Sequence, residues 1–296
     1  MDEGLGMKTG LVLEGGALRG LFSAGVMDVL MEHGIRFDGI IGVSAGAAFG
    51  CNYKSHQIGR AIRYNKRFAR EWRYCSLRSL LLTGDLFGAE YAYHIVPTQL
   101  DKFDDETFAQ DPTEFYVVCS DVLTGQPVYQ RCMEGGHHTY DWIRASASLP
   151  IFSRIVELDG MKLLDGGMTD SIPLRFFQQQ GYVKNLVILT QPLQYQKKPS
   201  KWMPLVRIIL RRYPAIVKAM AQRHDIYNKQ LAYVHEQELS GSTFVVRPPK
   251  NLPIGHTSHN SDEMQHVYDI GRKTALEQLD AIHHFLHSPF LPENDK

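Results

Sequence analysis

The sequence predicts an α/β fold in three layers, with a mostly parallel central sheet between two layers of helices and a mainly helical C-terminal extension. Short apolar runs typical of buried strands alternate with amphipathic stretches typical of helices. Parallel neighbours need crossover connections, which are usually helices, so this alternation favours a parallel sheet. The length of 296 residues, with 44% hydrophobic and 22% charged residues, is sufficient for one large α/β domain with an appendage.

The strands of this sheet are predicted from short apolar runs. They lie at residues 10–14, 40–43, 115–119 and 186–190. Helical patterns occupy residues 18–33 and 47–73 between them. After Pro192 a polar connector over residues 194–200 marks a change of character. Helical segments, a strand at 243–247 and a last helix at 262–287 are predicted beyond it.

Charge and cysteine content exclude some function classes. Lys plus Arg and Asp plus Glu both count 32, so the global charge gives no reason to expect nucleic acid as a partner. The four cysteines lack the spacing of a metal site or a disulfide framework, which favours reduced thiols. Neither a signal peptide nor a membrane-spanning run is predicted, so the expected location is the cytoplasm.

The glycine-rich segment at residues 15–20 reads Gly-Gly-Ala-Leu-Arg-Gly and joins the first predicted strand to the first helix. Backbone N–H groups at such a turn can converge on an anion. A phosphate-binding Walker loop needs Lys and Ser or Thr where this chain has Leu21 and Phe22. Ala17 replaces a glycine of the dinucleotide fingerprint. A tight structural turn and an oxyanion hole for acyl transfer remain as interpretations.

The segment Gly42-Val43-Ser44-Ala45-Gly46 matches the G-x-S-x-G nucleophile elbow, and it follows a predicted strand and precedes a helical start rich in small residues. A serine at such a turn projects its Oγ outward, while Gly42 and Gly46 let the strand and the helix pass closely. The helix that follows directs its positive end at the nucleophile. An ordinary strand-to-helix turn is the competing interpretation.

Two kinds of base could activate Ser44. In the α/β-hydrolase arrangement an acid and then a histidine follow the serine. The late candidates, none within a motif, are His224, His235, His256, His259 and His266. The other candidate is Asp165, which ends a short apolar run and precedes Gly166 and Gly167.

Three elements in this order resemble the patatin-like phospholipase family: the loop at 15–20, the motif at 42–46, and Asp165-Gly166-Gly167. The segments 144–150 (Arg-Ala-Ser-Ala-Ser-Leu-Pro) and 170–174 (Asp-Ser-Ile-Pro-Leu) are also similar to that family. The resemblance implies a patatin-like catalytic domain over residues 8–195. A mainly helical extension over residues 196–296 would pack on this domain or cap it.

The resemblance also implies a serine lipid acyl hydrolase with a Ser–Asp dyad, in which Asp165 takes the proton of Ser44 directly. The amides of Gly15, Gly16 and Ala17 would form the oxyanion hole; the family usually has a third glycine where this chain has Ala17. Arg19 stands where the family usually carries a basic residue. It would either attract a lipid phosphate or fix the helix start by a salt bridge.

An amphipathic helix with basic residues is predicted over residues 201–220, with Trp202 at its start and a kink at Pro214. Such a helix could lie on an anionic membrane surface or pack on the catalytic domain as a cap. Its apolar face would carry Leu205, Val206, Ile209, Tyr213, Ile216, Val217 and Met220, and its basic face Lys201, Arg207, Arg211 and Lys218.

No cofactor or metal is expected, because the histidine groups at 256–259 and 283–287 lack a convincing third ligand and serine-based hydrolysis needs none. The expected partner is a lipid or another acyl ester. Two other functions remain open: an α/β-hydrolase esterase with a Ser–His–Asp triad, and a non-catalytic lipid-binding module.

Overall fold

The computed structural model describes residues 7–288, and within them eight strands form one sheet. The strands are β1 Lys8–Leu13, β2 Gly39–Val43, β3 Glu114–Asp121, β4 Pro127–Arg131, β5 Val156–Leu158, β6 Met161–Asp165, β7 Tyr182–Ile188 and β8 Thr243–Val246. Their order is β5-β6-β3-β2-β1-β7-β8, and β4 also pairs with β3. The pairs from β3 through β2, β1 and β7 to β8 are parallel, and the pairs that involve β4, β5 or β6 are antiparallel. The predicted mostly parallel sheet is confirmed.

Ten α-helices lie within the described residues. They are α1 Gly20–Glu32, α2 Ala45–Lys54, α3 Arg60–Phe68, α4 Leu77–Thr83, α5 Asp105–Gln110, α6 His137–Ser146, α7 Leu174–Gln179, α8 Met203–Ile209, α9 Pro214–Leu239 and α10 Ser261–His287. A π-helical segment, Tyr91–Leu100, lies between α4 and α5. The last predicted helix at 262–287 corresponds to α10.

Two helical predictions are wrong in detail. The stretch 47–73 is not one helix, because the chain turns at His56 and Gly59, whose φ angles are 55° and 73°, and α3 begins afterwards. Pro214 does not kink a helix over 201–220. It occupies the first position of α9, where its missing N–H leaves no hydrogen bond unmade, so α8 and α9 are separate helices.

Helices cover both faces of the sheet, which explains why its central strands are apolar throughout. Successive residues of β1 point to opposite layers: Leu11 and Leu13 pack in the core that contains α1, α2 and α10, whereas Val12 packs with residues of α7 and α9. β2, β3 and β7 show the same alternation. The predicted three-layer architecture is therefore confirmed.

The helix α1 is buried along residues 20–30, so the predicted amphipathic character of 18–33 is wrong. Its outer face is covered by α10, and the two helices approach most closely at two glycines. A Cβ on Gly25 would lie 2.1 Å from the carbonyl oxygen of Tyr268, and one on Gly271 would lie 2.0 Å from that of Phe22. Side chains at these two positions would force the helices apart.

The segment after residue 196 adds elements to the sheet rather than lying apart from it. β8 pairs with the edge strand β7, Tyr227 and Val234 of α9 pack on one face, and α10 packs on the other. The division into domains at 8–195 and 196–296 stays a prediction, and residues 289–296 of it lie outside the described residues. No helix in residues 7–288 has the length and apolar character to cross a membrane.

Candidate active site

Ser44 lies on the sharp turn between β2 and α2. Its φ of 56° and ψ of −120° form a conformation that non-glycine residues rarely adopt, at a cost of about 1–3 kcal/mol. The turn is held in place from behind. The Ser44 N–H donates to Ser146 Oγ at 2.8 Å, and that hydroxyl donates to the carbonyl oxygen of Val118 at 2.6 Å. These bonds tie the turn to α6 and β3.

The glycines that flank Ser44 are required by close backbone contacts. A Cβ on Gly42 would lie 2.5 Å from the Ala47 nitrogen, and one on Gly46 would lie 2.5 Å from the Leu13 carbonyl oxygen. Both distances are too short for any side chain. Strand, serine and helix therefore form the nucleophile elbow geometry that the sequence pattern predicts.

The glycine-rich loop passes beside the serine. A Cβ on Gly15 would lie 3.0 Å from Ser44 Cβ, and Ala17 adopts a φ of 49° at the start of a 3-10 turn, Ala17–Arg19. Among residues 7–288, no protein acceptor is hydrogen-bonded to the N–H groups of Gly15, Gly16 or Ala17. Unpaired amides next to a serine are the donors that an oxyanion requires.

Glu14 anchors this loop from below. It is only 2% exposed, and its carboxylate accepts hydrogen bonds from the Thr190 N–H at 2.6 Å and from the Tyr227 hydroxyl at 2.6 Å. Thr190 also contacts the loop directly, since a Cβ on Gly16 would lie 2.7 Å from its Oγ1. The loop is thus fixed by Thr190, just after β7, and by Tyr227 of α9, which both lie far along the chain.

Strand pairing brings Asp165 to the serine. Val43, just before Ser44, pairs with Val118 of β3, and the next residue of β3, Cys119, pairs with Asp165 at the end of β6. The two side chains meet at this edge, where the Ser44 side chain is close enough to act on the Asp165 carboxyl. Their separation along the sequence gives no hint of this contact.

The Asp165 carboxyl is 2% exposed. Burial raises its pKa, and the opposing causes are the charge of Arg223 and the hydrogen bonds from Ser44 and from the Gly167 N–H, the last at 2.7 Å. Its backbone carbonyl accepts from Ser120 Oγ at 2.8 Å. Gly166 lies where a Cβ would be 2.2 Å from the Val118 carbonyl oxygen, so glycine is needed beside the acid.

The late histidines make their contacts elsewhere. In residues 7–288, the hydrogen bonds and ion pairs of these side chains do not involve Ser44 or Asp165. His259 donates to the Ala69 carbonyl oxygen at 2.6 Å, and His256 accepts from Arg19 Nη1 at 2.9 Å. Arg19 therefore contacts a histidine rather than forming the predicted type of salt bridge.

An apolar cavity of about 110 Å³ opens beside Ser44. Ala17 and Ala45 line it next to the serine, and Phe49, Tyr64 and Phe103 line it farther away. Nearly half of its lining residues come from α2, the π-helical segment and α6. Such a cavity accommodates a hydrocarbon group attached to the carbonyl that Ser44 would attack.

Positive charge gathers at the same site. Arg223 of α9 donates through Nε to the Gly167 carbonyl oxygen, and the charges of Arg223 and Lys197 both act on Asp165. Sequence reasoning did not single out these two residues. The sequence does contain a signal for a positively charged region, because residues 171–224 contain ten Lys or Arg and no Asp or Glu.

The model of the family described as patatin-like phospholipase matches residues 11–177, and a model of a domain of unknown function matches residues 213–287. The uncharacterized protein YjjU of Escherichia coli K12 is 27% identical over 272 residues, which are 88% of this chain and 74% of YjjU. The lysophospholipase nte1 of Aspergillus oryzae is 29% identical over 60% of this chain, which matches only 11% of that protein.

Among solved structures, VipD from Legionella pneumophila matches with a TM-score of 0.44 and 11% identity, covering 93% of this chain and 67% of VipD. The family model covers more than half of the chain and includes the loop, the elbow and Asp165. This chain belongs to the patatin-like phospholipase family.

Proposed function

We propose that this chain is a serine lipid acyl hydrolase in which Ser44 and Asp165 form a catalytic dyad. The observation that carries the proposal is that the strand pairing brings the buried Asp165 carboxyl to the Ser44 side chain, which acts on its pKa, at a strained elbow beside amides that have no protein acceptor within residues 7–288. A nucleophile, a base next to it and oxyanion donors are the parts that acyl transfer needs.

The reaction follows from these positions. Ser44 Oγ attacks the ester carbonyl carbon while Asp165 takes the hydroxyl proton, and the amides of Gly15, Gly16 and Ala17 hold the oxyanion. Collapse of the tetrahedral intermediate breaks the bond to the alcohol, which leaves with the proton from Asp165. Water then attacks the acyl-enzyme, gives its proton to Asp165, and releases the acid as Ser44 regains a proton.

Burial supports the role of Asp165 as a base. An exposed carboxylate is weakly basic toward a serine hydroxyl, whereas burial raises the pKa of Asp165 and so strengthens it. Arg223 opposes this rise through its positive charge. The positive end of α2 faces the nucleophile and favours negative charge at the oxyanion.

The substrate proposed is a lipid ester. The cavity beside Ser44 is lined mainly by apolar side chains, and the fungal relatives are named lysophospholipases. Because this chain covers only about a tenth of those relatives, their activity is carried over as part of the proposal. The four cysteines are buried free thiols, which supports a reducing compartment such as the cytoplasm.

The test of the dyad is hydrolysis of a short-chain p-nitrophenyl ester by Ser44→Ala and Asp165→Asn. Each change should lower kcat/KM by about a thousandfold or more while the circular dichroism spectrum stays that of the wild type. Ser200→Ala and Asp225→Asn, at exposed positions, serve as matched controls. Full activity in Asp165→Asn would refute the dyad.

A Ser–His–Asp triad is tested in the same assay. It would require that replacing one late histidine by alanine abolishes turnover as completely as Ser44→Ala does. The dyad predicts that none of the five replacements reaches that loss. A non-catalytic lipid-binding module would bind vesicles but hydrolyse no ester.

A second part of the proposal is contact with an anionic membrane surface through α4 and α8. Leu81 and Leu82 of α4 are 86% and 63% exposed, and Trp202 and Ile208 at α8 are 57% and 68% exposed. Both helices border the segment 151–154, because Phe152 contacts the Trp202 ring and accepts from the Leu86 N–H. Cations lie among these apolar residues and at the ends of the helices: Arg78, Lys201, Arg207, Arg211 and Arg212.

Sedimentation with vesicles tests this contact. We expect Leu81→Ser and Ile208→Ser to bind less to phosphatidylcholine vesicles that contain phosphatidylglycerol, by about fivefold each, because each exposes a polar group where an apolar one entered the lipid. Leu276→Ser, on the exposed side of α10, is the matched control. Equal binding by all variants would contradict the proposed surface.

A further inference from the structure

Three cationic side chains converge on the Ser44–Asp165 site, where the acidic side chains that act on Lys197 and Arg223 are Glu14 and Asp165. Arg19, Lys197 and Arg223 act on one another and on His256, since all three charges contribute to lowering the pKa of that histidine, after its burial. Within the described part of the chain, none of the three forms an ion pair with a carboxylate, although ion pairs involve many other cations. Like charges held together this way cost folding stability and are typical of a site for an anion.

Arg223 stands next to the catalytic carboxyl. Its Nε donates to the Gly167 carbonyl oxygen. If Gly167 carried a Cβ, that atom would lie 3.1 Å from Arg223 Nη2. Asp165 Oδ1 lies 3.0 Å from the same point. The guanidinium and the carboxyl therefore border the same glycine, and the guanidinium still has donors to offer.

Lys197 is held over α9 by its own backbone. Its N–H donates to Asn228 Oδ1 at 2.8 Å, and its carbonyl oxygen accepts from Asn228 Nδ2 at 3.0 Å. The ammonium lies 4.2 Å from the centre of the Tyr227 ring, an attractive contact that leaves its N–H groups free for a ligand. It also borders an open groove of about 790 Å³ that contains Lys198 and Lys250 and no acidic residue.

The third cation of the cluster, Arg19, comes from the N-terminal part of the chain. Its Nη1 donates to His256 Nε2 at 2.9 Å, whereas its Nε is buried and has no hydrogen-bond partner among residues 7–288. Two acids face the cluster, Glu14 and Asp165, and both also accept hydrogen bonds from neutral donors, Glu14 from Thr190 and Tyr227 and Asp165 from the Gly167 N–H. Three cations therefore face two carboxyl groups, and an anionic ligand would balance the third.

We propose that Lys197 and Arg223, together with Arg19, form a subsite for the phosphate of an acyl ester whose alcohol carries a terminal phosphate. This inference rests on the proposed function, because it assigns the alcohol side of the ester that Ser44 attacks. Arg223 lies in the region matched by the model of unknown function and Lys197 precedes it, so both are outside the patatin-like match at 11–177. The C-terminal part of the chain thereby selects the substrate.

The chemistry favours one kind of headgroup. A terminal phosphate carries nearly two negative charges at neutral pH and three oxygens that can accept hydrogen bonds from several cations at once. A phosphodiester that carries choline brings one negative charge and one positive charge, and the positive charge would meet Lys197 and Arg223. A monoacylglycerol brings no charge at all.

The experiment compares a monoacylglycerol phosphate with the monoacylglycerol of the same acyl chain, both below the concentration at which they aggregate. For the wild type we expect kcat/KM to be at least about tenfold higher for the phosphate ester. Lys197→Met should lower this ratio by about tenfold, and Lys197→Arg should restore most of it because the positive charge returns. Lys229→Met, at an exposed lysine of α9, is the control.

A binding measurement separates this inference from the proposed function. Calorimetric titration of Ser44→Ala with glycerol 3-phosphate, and separately with inorganic phosphate, reports the subsite without turnover. We expect the double variant Ser44→Ala/Lys197→Met to bind glycerol phosphate about tenfold more weakly. Tighter binding of glycerol phosphate than of inorganic phosphate would identify the headgroup as the ligand, and the reverse order would overturn that assignment.

The outcomes are distinct. If the wild type hydrolyses neutral esters but its preference is unaffected by Lys197→Met, the phosphate subsite is wrong and the dyad stands. If no ester is hydrolysed while phosphate binding depends on Lys197, the proposed hydrolase is wrong and the anion subsite stands. If the lysine change alters neither the ratio nor the binding, the inference is overturned.

Discussion

Two parts of the site at Ser44 differ in polarity. The apolar side is a cavity lined mainly by apolar side chains, among them Phe49, Tyr64 and other residues before position 150. The charged side is formed by three cations, two of them from beyond residue 196. Under the proposed function, this difference would suit a molecule with an apolar end and an anionic end, with the ester carbonyl between them. The region matched by the family model supplies Ser44, Asp165 and the apolar side, and the region beyond residue 196 supplies two of the three cations.

The largest effect is expected from filling the apolar side. Ala48 lines the cavity close to Ser44, and Ala48→Phe would occupy the space that an acyl chain needs. We expect kcat/KM for a p-nitrophenyl ester with a long acyl chain to fall by about 100-fold relative to the acetate ester, since buried methylene contacts are lost. The measurement is the ratio of the two kcat/KM values.

Ala281→Phe, on an exposed part of α10, is the control for this change. An equal loss with both esters would mean that the substitution disturbs Ser44 itself. No loss with the long ester would place the acyl chain outside this cavity.

The next largest effect is expected from removing the charge of Arg223, which acts on the pKa of Asp165. Protonated Asp165 cannot accept the serine proton, so activity is lost as the pH falls through its pKa. Arg223 holds that pKa down against burial. Arg223→Met should therefore move the acidic limb of the kcat/KM profile for a neutral ester upward by about one pH unit, which is a tenfold loss on that limb.

Lys229→Met should leave the position of this limb unchanged, because that lysine is exposed and is not among the causes that act on Asp165. A uniform loss of kcat at all pH values in Arg223→Met, with the limb unmoved, would mean that the arginine only supports the fold around Gly167.

The smallest effect is a pH dependence of substrate preference. Burial, followed by the charges of Arg223 and Arg19, lowers the pKa of Lys197 to about 8, while Glu14 and Asp165 act in the opposite direction. Lys197 therefore loses its charge as the pH rises through this value. We expect the preference for the phosphate ester over the neutral ester to fall by about threefold between pH 7 and pH 9.

In Lys197→Arg the preference should stay constant over this range, because a guanidinium remains charged. The same decline in both proteins would assign the pH dependence to another group.

Much of the fold could be predicted because the central strands are covered on both faces. β1, β2, β3 and β7 appear as short apolar runs, and their predicted ranges overlap the observed ones. β4, β5 and β6 are not among the predicted strands, for a physical reason. β4 is only partly buried, β5 has three residues and β6 has only three buried ones, so none of them produces a long apolar run.

The residues of the candidate site also differ in whether the sequence alone could identify them. Ser44 could be found locally, because strand, glycines and helix surround it within a few residues. The prediction of Asp165 as the base depended on the family resemblance, because only the pairing of β6 with β3 brings this residue close to the serine. Lys197 and Arg223 could not be assigned, because a basic stretch does not reveal which of its cations turn inward.

The most direct test of the account is the reaction of the wild type with a fluorophosphonate, followed by mass spectrometry of the digested protein. The phosphonyl adduct should be found on the peptide that contains Ser44, and Asp165→Asn should react at least about a hundredfold more slowly because the hydroxyl lacks its base. An adduct on another residue, or an unlabelled protein that still hydrolyses esters, would contradict Ser44 as the nucleophile.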